Sequence, residues 1–215
     1  IKSVIVDKIN NNHGTLYYES VIYDPSEEID TSNLVLHYKL DESSGTTVAD
    51  SSGNNRTGTL NGNPNLNQEG YNLLTDGAIN FDGVDDYIDL SSHASALADF
   101  SNGFSFSGWI KWDATLNYSR IFDFGQGQDD DNIILYNQTT STTLEFYVRN
   151  GSSEDQTFVS SFITTGVWIH VGVTFNNTTR AVRIFKDGSL VSSDTLNYSL
   201  ANVSRTSSYI GKSNS

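Results

Sequence analysis

Phe81-Asp82-Gly83-Val84-Asp85-Asp86-Tyr87-Ile88 decides how this chain is read. Apolar residues flank a short acidic segment holding one glycine. The stretch reads as a strand, a tight turn and a second strand, and the Asp-Gly and Asp-Asp pairs suit a hairpin turn on their own. Working outward, Ala78–Phe81 and Tyr87–Leu90 become the two strands. Leu34, Leu36, Tyr38 and Leu40 take one face of an earlier strand, with Val35, His37 and Lys39 on the other. Phe104, Phe106, Gly108, Ile110 and Trp112 alternate with Ser105, Ser107, Trp109 and Lys111. Val167, Ile169, Val171, Val173 and Phe175 form the cleanest alternating face. Shorter strands are predicted at Arg120–Phe124, Asn132–Tyr136, Leu144–Val148, Ala181–Lys186 and Ser208–Gly211. The Asp187-Gly188 pair turns the chain into a return strand starting at Leu190–Val191, because both central positions of such a turn favour positive φ. Ala94–Phe100 is the one helical turn expected. Short strands separated by turn signals predict an all-β antiparallel sandwich.

Composition narrows the chemistry. The 215 residues include no Cys and no Met, 17 Gly and 2 Pro, with 26 acidic against 12 basic side chains and a net charge of −14. Such a surface repels phosphate backbones, so no nucleic acid partner is expected. No apolar run is long enough to span a bilayer, so no membrane insertion is expected. Without cysteine there is neither a disulfide framework nor a thiolate metal site. Acidic loops can gather divalent cations, or simply keep the protein soluble. Lacking an initial Met, the sequence reads as a processed product or a fragment. Asn-x-Ser/Thr triplets occur at Asn55, Asn117, Asn137, Asn150, Asn176, Asn177, Asn197 and Asn202, as chance would also produce in an Asn/Ser/Thr-rich chain.

Residues 1–32 differ from the rest. Ile1–Ile9 and Thr15–Tyr23 read as strands around an Asn-rich turn, and Asp24–Glu28 has the look of a helix start. The regular pattern begins at Asn33. Asp41–Gly70 is a polar connection, long enough to be functional or to be held by a metal. The division expected is therefore an N-terminal segment, 1–32, and a domain, 33–215.

Leu34–Asp41, Asp50–Asn55, Phe81–Ile88, Phe104–Trp112, Trp168-Ile169-His170-Val171 and Ile184–Gly188, in this order, resemble laminin-G-like (concanavalin A-like) jelly-roll domains. The resemblance covers about residues 33–215. It implies a two-sheet jelly roll that often carries calcium and often binds glycans or other cell-surface ligands. Family members usually have one more closing strand, which pairs beside the first. Tyr18–Glu28 is similar to that segment, so residues 1–32 could be a closing strand, the tail of a preceding repeat, or a strand donated to a neighbour.

Calcium is the expected cofactor, at two places. Asp129, Asp131 and Asn132 put oxygen donors on a Gly-flanked loop, as a hard cation requires. Ile121–Leu135 is also similar to the pentraxin segment that ends in a calcium-binding Asp-Asn pair, which implies Asp131 and Asn132 as ligands. The alternative is a solvated hairpin tip. Asp50 and Asn54 form the second place, where the alternative is that Asp and Asn shape turns by bonding their own backbone. Asp82, Asp85 and Asp86 fit a turn better than a metal. His13, His37, His93 and His170 show no paired metal-ligand spacing, and His37 and His170 are expected to be half-exposed. Trp109, Tyr118 and Trp168 are candidate sugar platforms, against the alternative that the tryptophans pack between the sheets or under a loop.

The Glu-x-Asp-x-x-Glu string carried by glucanases of this broad fold is missing, as are a nucleophile elbow, a P-loop and a dinucleotide fingerprint. No enzyme is expected. The expected function is an extracellular or surface-displayed recognition domain, binding glycans or cell-surface glycoproteins with calcium ordering its loops. The alternatives are a structural module of a surface fibre, tandem-repeat adhesin or virion, contacting neighbouring copies, or an accessory domain of a polysaccharide-degrading enzyme.

Overall fold

The computed structural model describes residues 2–8, 33–71 and 77–214. Their strands are β1 (Lys2–Lys8), β2 (Leu34–Tyr38), β3 (Thr47–Val48), β4 (Gly58–Asn61), β5 (Asn65–Glu69), β6 (Gly77–Asn80), β7 (Tyr87–Asp89), β8 (Gly103–Lys111), β9 (Arg120–Gly125), β10 (Ile133–Asn137), β11 (Leu144–Asn150), β12 (Ser153–Val159), β13 (Trp168–Asn176), β14 (Ala181–Lys186), β15 (Ser189–Thr195) and β16 (Ser207–Ile210). A six-stranded sheet runs β15-β14-β13-β8-β1-β2 and an eight-stranded one β12-β11-β10-β9-β16-β7-β4-β3, with β5 and β6 paired separately. Every pairing is antiparallel. This is the two-layer sandwich expected.

The period-two alternation places the core. Phe104 and Phe106 of β8 and Val171, Val173 and Phe175 of β13 face Phe122 and Phe124 of β9 and Phe146 of β11, all fully buried. Ring contacts join them across the layers, as between Phe106 and Phe122 at 4.8 Å and Phe146 and Phe175 at 6.1 Å. A two-sheet architecture needs both inner faces apolar, and these strands supply them. Asp187 and Gly188 turn β14 into β15 with φ of 48° and 79°, the mirror-image turn expected of that pair.

Several expectations change. Phe81–Ile88 is not a hairpin: β6 pairs with β5, whereas β7 lies between β16 and β4 in the eight-stranded sheet. The acidic segment is a crossover between sheets. Asp86 closes it by accepting the backbone N–H of Asp82 at 3.0 Å and of Asn63 at 2.7 Å. The polar connection 41–70 contains β3, β4 and β5. Polar β12 also went unforeseen, yet it pairs with β11 along its whole length, from Leu144↔Val159 to Asn150↔Ser153. Its Glu154, Asp155 and Gln156 suit an edge strand.

The turn expected at Ala94–Phe100 is instead a 3-10 turn at Ser91–His93 followed by irregular turns. Arg205, fully buried, holds this region. Its guanidinium donates to Leu97 O at 2.8 Å and Ala201 O at 3.0 Å and lies 5.2 Å from the Phe100 ring. At the N-terminus, β1 pairs with β2 on one side and β8 on the other. The strand expected at 15–23, the helix start at 24–28 and His13 lie outside the described residues. Among the described residues, no helix is long and apolar enough to cross a membrane.

Candidate functional site

A cleft of about 700 Å³ opens at one end of the sandwich. Antiparallel order brings together there the end of β8, the starts of β13, β9 and β7, and the ends of β6 and β16. The acidic crossover 82–86 makes one wall and the loop 112–119 the facing one, linked where Asn80 Nδ2 donates to Asp113 Oδ2 at 3.1 Å. Gly83 lets the walls meet: a Cβ there would lie 2.6 Å from the Leu116 side chain, and its φ is +76°. Val84 at the crossover tip is 85% exposed, and Leu116 and Tyr118 on the opposite rim are 47% and 42% exposed.

The cleft mixes ring faces with hydrogen-bonding groups. Trp168, Tyr118, Phe81 and Tyr87 all line it. Lys111 Nζ sits 5.5 Å above the Trp168 ring, and Lys212 Nζ sits 4.0 Å above Tyr87. Carboxylates come from Glu69, Asp82, Asp85, Asp86 and Asp113. The backbone N–H of Val84 bonds the Asp82 carboxylate at 2.8 Å and holds its carboxyl below the usual range. Small-ligand sites occupy roughly 300–1,000 Å³ and combine apolar walls with a few convergent polar groups. This cleft has both properties.

A second, smaller pocket of about 200 Å³ lies on the outer face of β9, β10 and β11, and shares Tyr118, Arg120 and Ser213 with the cleft. Tyr118 and Tyr136 tilt at 50° with centroids 5.9 Å apart, and the Arg120 guanidinium lies 4.7 Å from the Tyr136 ring. Tyr136 donates to Glu145 Oε1 and Tyr147 to Glu154 Oε2, each at 2.6 Å. Burial, reinforced by these carboxylate acceptors, raises both phenols, Tyr147 to about 12. Neutral, tethered rings of this kind present stiff faces.

The family model described as the concanavalin A-like lectin/glucanases superfamily matches residues 82–215. The chain belongs to this superfamily. Several domains of known structure superpose on it. Domain 4 of AbnA, an extracellular GH43 arabinanase from Geobacillus stearothermophilus, was solved in complex with arabinotriose. It is 20% identical, with 81% of each chain covered and a TM-score of 0.56. The Ruminococcus gnavus IT-sialidase CBM40, bound to alpha2,3 sialyllactose, is 15% identical over 59% of this chain and 73% of its own, with a TM-score of 0.51. The binding domain of botulinum neurotoxin DC, in complex with rat synaptotagmin II, is 17% identical over 79% of this chain and 41% of its own, at 0.54. At such identities the likeness is one of fold. A search of curated proteins finds no match.

The sandwich scatters the residues singled out from sequence. Tyr118 and Trp168 share the cleft, but Trp109 does not. It lies on the outer face of the six-stranded sheet, stacked under Tyr71 at 3.6 Å and edge-on to His170 at 5.2 Å. Neither Trp109 nor Trp168 packs between the sheets; Trp109 lies under Tyr71 of the connection after β5, and Trp112 is the buried tryptophan. His37 is half-buried as expected, but His170 is buried, and burial lowers its pKa to about 4.

The expected calcium ligands lie outside the cleft, although Asp129 and Asn132 line the smaller pocket, and the carboxylate oxygens of Asp50, Asp129 and Asp131 face protein donors. Asp50 Oδ1 accepts from His37 N and Ser52 N, and Oδ2 from Ser52 Oγ and Arg56 N, all within 3.0 Å. Partial burial pushes this carboxyl up, but the bonds from His37, Arg56 and Ser52 outweigh it and hold the group low. Asn54 Nδ2 donates to Leu34 O at 2.7 Å. Asp131 accepts from Gly151 N and Gln126 Nε2, while Asn132 Nδ2 donates to Asp123 at 2.7 Å. Exposed Asp129 pairs with Arg149 at 3.3 Å. In both sets a carboxylate also braces backbone N–H groups. Among the described residues, the carboxylates of Asp82, Asp85 and Asp86 converge within 4.8 Å. Asn137, one of the eight triplet asparagines, is fully buried and bonded to Ser119 N and Thr139 O, so it cannot carry a glycan. Arg120, Tyr136 and Tyr147 carried no motif in the sequence; only strand register puts them side by side.

Proposed function

We propose that this chain is a non-catalytic carbohydrate-recognition domain that binds glycans in the cleft between the 82–86 crossover and the 112–119 loop. The cleft itself carries the reading: ring faces at Tyr118 and Trp168 stand beside a dense set of carboxylate and amide groups. Sugars offer apolar C–H faces and many hydroxyls, and that pair of surfaces matches them. The arabinotriose and sialyllactose complexes of two similar folds support the reading. The setting we assign is extracellular or surface-displayed, with cell-surface glycoproteins as natural carriers of the ligand. Calcium, in this reading, orders the rim at Asp82, Asp85 and Asp86, whose carboxylates converge within 4.8 Å on the cleft wall.

Calorimetry against a glycan panel, with and without chelator, tests this. Tyr118→Ala and Trp168→Ala should each weaken binding by roughly 3- to 10-fold, the worth of one ring contact, with unchanged melting. Silence across a broad panel overturns the reading. A chelator effect that survives in Asp85→Asn removes calcium from the rim.

A further inference from the structure

Resting on the glycan reading, we propose that the ligand is an uncharged, extended oligosaccharide. It would run from the cleft over Tyr118 and Arg120 onto the tyrosine face of β9, β10 and β11, rather than placing a single terminal sugar in the cleft.

Continuity is the first argument. The cleft and the smaller pocket have Tyr118, Arg120 and Ser213 in common, so they form one trough with a saddle at Tyr118. The extension follows β9, lined by both Arg120 and Asp123. Three residues of strand cover about 10 Å at ~3.3 Å per residue, more than one sugar ring needs.

Volume is the second. About 200 Å³ falls below the roughly 300 Å³ at which small-ligand sites begin. The outer pocket is too small to be a separate site. As a continuation of a 700 Å³ cleft it adds one further subsite.

The floor of that subsite is the third. Ile134, Tyr136 and Tyr147 line it, and the two phenols are tied to Glu145 and Glu154. Tyr136, 8% exposed and covered by Arg120 at 4.7 Å, braces the floor, and the half-buried Tyr147 offers the ring face, held in place before a ligand arrives, which cuts the ordering cost of stacking. Gln128 also lines it, with an amide group for hydroxyls, while the Asn214 amide is tied to Asp123 at 2.7 Å.

Charge selects the class. The cleft carboxylates already named are joined by Asp123 and Asp129 along the extension, against the cations Lys111, Arg120 and Lys212. Arg120 is already engaged with Tyr118 O at 2.6 Å and lies 3.9 Å from Asp123. The chain as a whole carries −14. A polyanionic glycan would meet net repulsion along the trough; a neutral one would not.

The experiment is calorimetry of the full chain against neutral oligosaccharides of one to six residues and their uronate- or sialate-bearing counterparts. Affinity should climb with length. Tyr147→Ala should lower it roughly 3- to 10-fold for the long ligands and leave the shortest unchanged, while Tyr147→Phe, which keeps the ring face but loses the tie to Glu154, should fall between Tyr147→Ala and wild type. Melting curves confirm that the variants are folded. If one residue binds as tightly as six, or Tyr147→Ala acts equally at all lengths, the extended site is refuted and the glycan reading stands. Tighter binding of the acidic counterparts refutes the uncharged class. No binding anywhere overturns the glycan reading and this inference together.

Discussion

Asp86 tests the link between the sequence stretch and the fold. It is 5% exposed and bonds two backbone donors, Asp82 N at 3.0 Å across the crossover and Asn63 N at 2.7 Å in the loop after β4. Bonds from amide donors to a charged acceptor contribute about 1.5–3 kcal/mol each. Removing both sets a gross loss of about 3–6 kcal/mol. Asn63 and Asp82 are themselves exposed, so water can reclaim part of the freed N–H groups. Asp86→Ala should therefore cost about 2–3 kcal/mol, which is a fall in melting temperature of about 5–10 °C for a domain this size. Asp86→Asn keeps one carbonyl acceptor and should lose about half as much. Asp85→Ala, one residue away and exposed, should stay within about 0.5 kcal/mol of wild type. Gly62→Ala should resemble Asp86→Ala, because its Cβ would stand 2.3 Å from Asp86 Oδ1 at a φ of +80°. Urea unfolding followed by tryptophan fluorescence reads all four. If Asp86→Ala unfolds at the same midpoint as Asp85→Ala, the side chain is not what fastens the crossover.

Two more outcomes are expected. His170 titrates at about 4 when folded because it is buried, and near 6.5 when unfolded. The unfolded chain then binds the extra proton between these values, so stability is complete above about pH 6.5 and falls as pH drops towards 4, by up to about 3 kcal/mol. Urea midpoints at pH 7 and pH 4.5 should differ in wild type and differ less in His170→Gln; equal differences would remove His170 as the cause. Asp50→Ala should destabilise by about 2–3 kcal/mol, since it strands the backbone donors of His37, Ser52 and Arg56. The loss should be the same with added calcium or with chelator; a calcium-dependent loss would show that Asp50 is a ligand after all.

The primary structure reached the architecture because alternation is a local property. Phe104, Phe106, Val171, Val173 and Phe175 point inwards wherever their strands are placed, and a chain with so many two-sided strands has to stack them in two layers. Turn chemistry was equally local at Asp187-Gly188, where positive φ at both residues fixes the hairpin. Partnership is not local. Whether β7 pairs with β6 or crosses to β16 depends on which backbone groups the rest of the sheet leaves open, so local turn chemistry predicts a hairpin where the fold has a crossover. Polar β12 has no alternation to detect and is a strand only because β11 offers it a free edge. The same limit governed the sites. Asp50 and Asp131 have the right atoms for a cation, but that His37 N and Gly151 N also bond them is set by the fold and has no mark in the sequence. Tyr118, Trp168 and Tyr147 come from three separate strand ends or faces, and only the stacking of antiparallel strands sets them around one trough. Composition and periodicity determined that this protein is a β-sandwich; long-range register decided where on it a ligand could lie, because neighbours in space are chosen by backbone pairing across the sheet and not by distance along the chain.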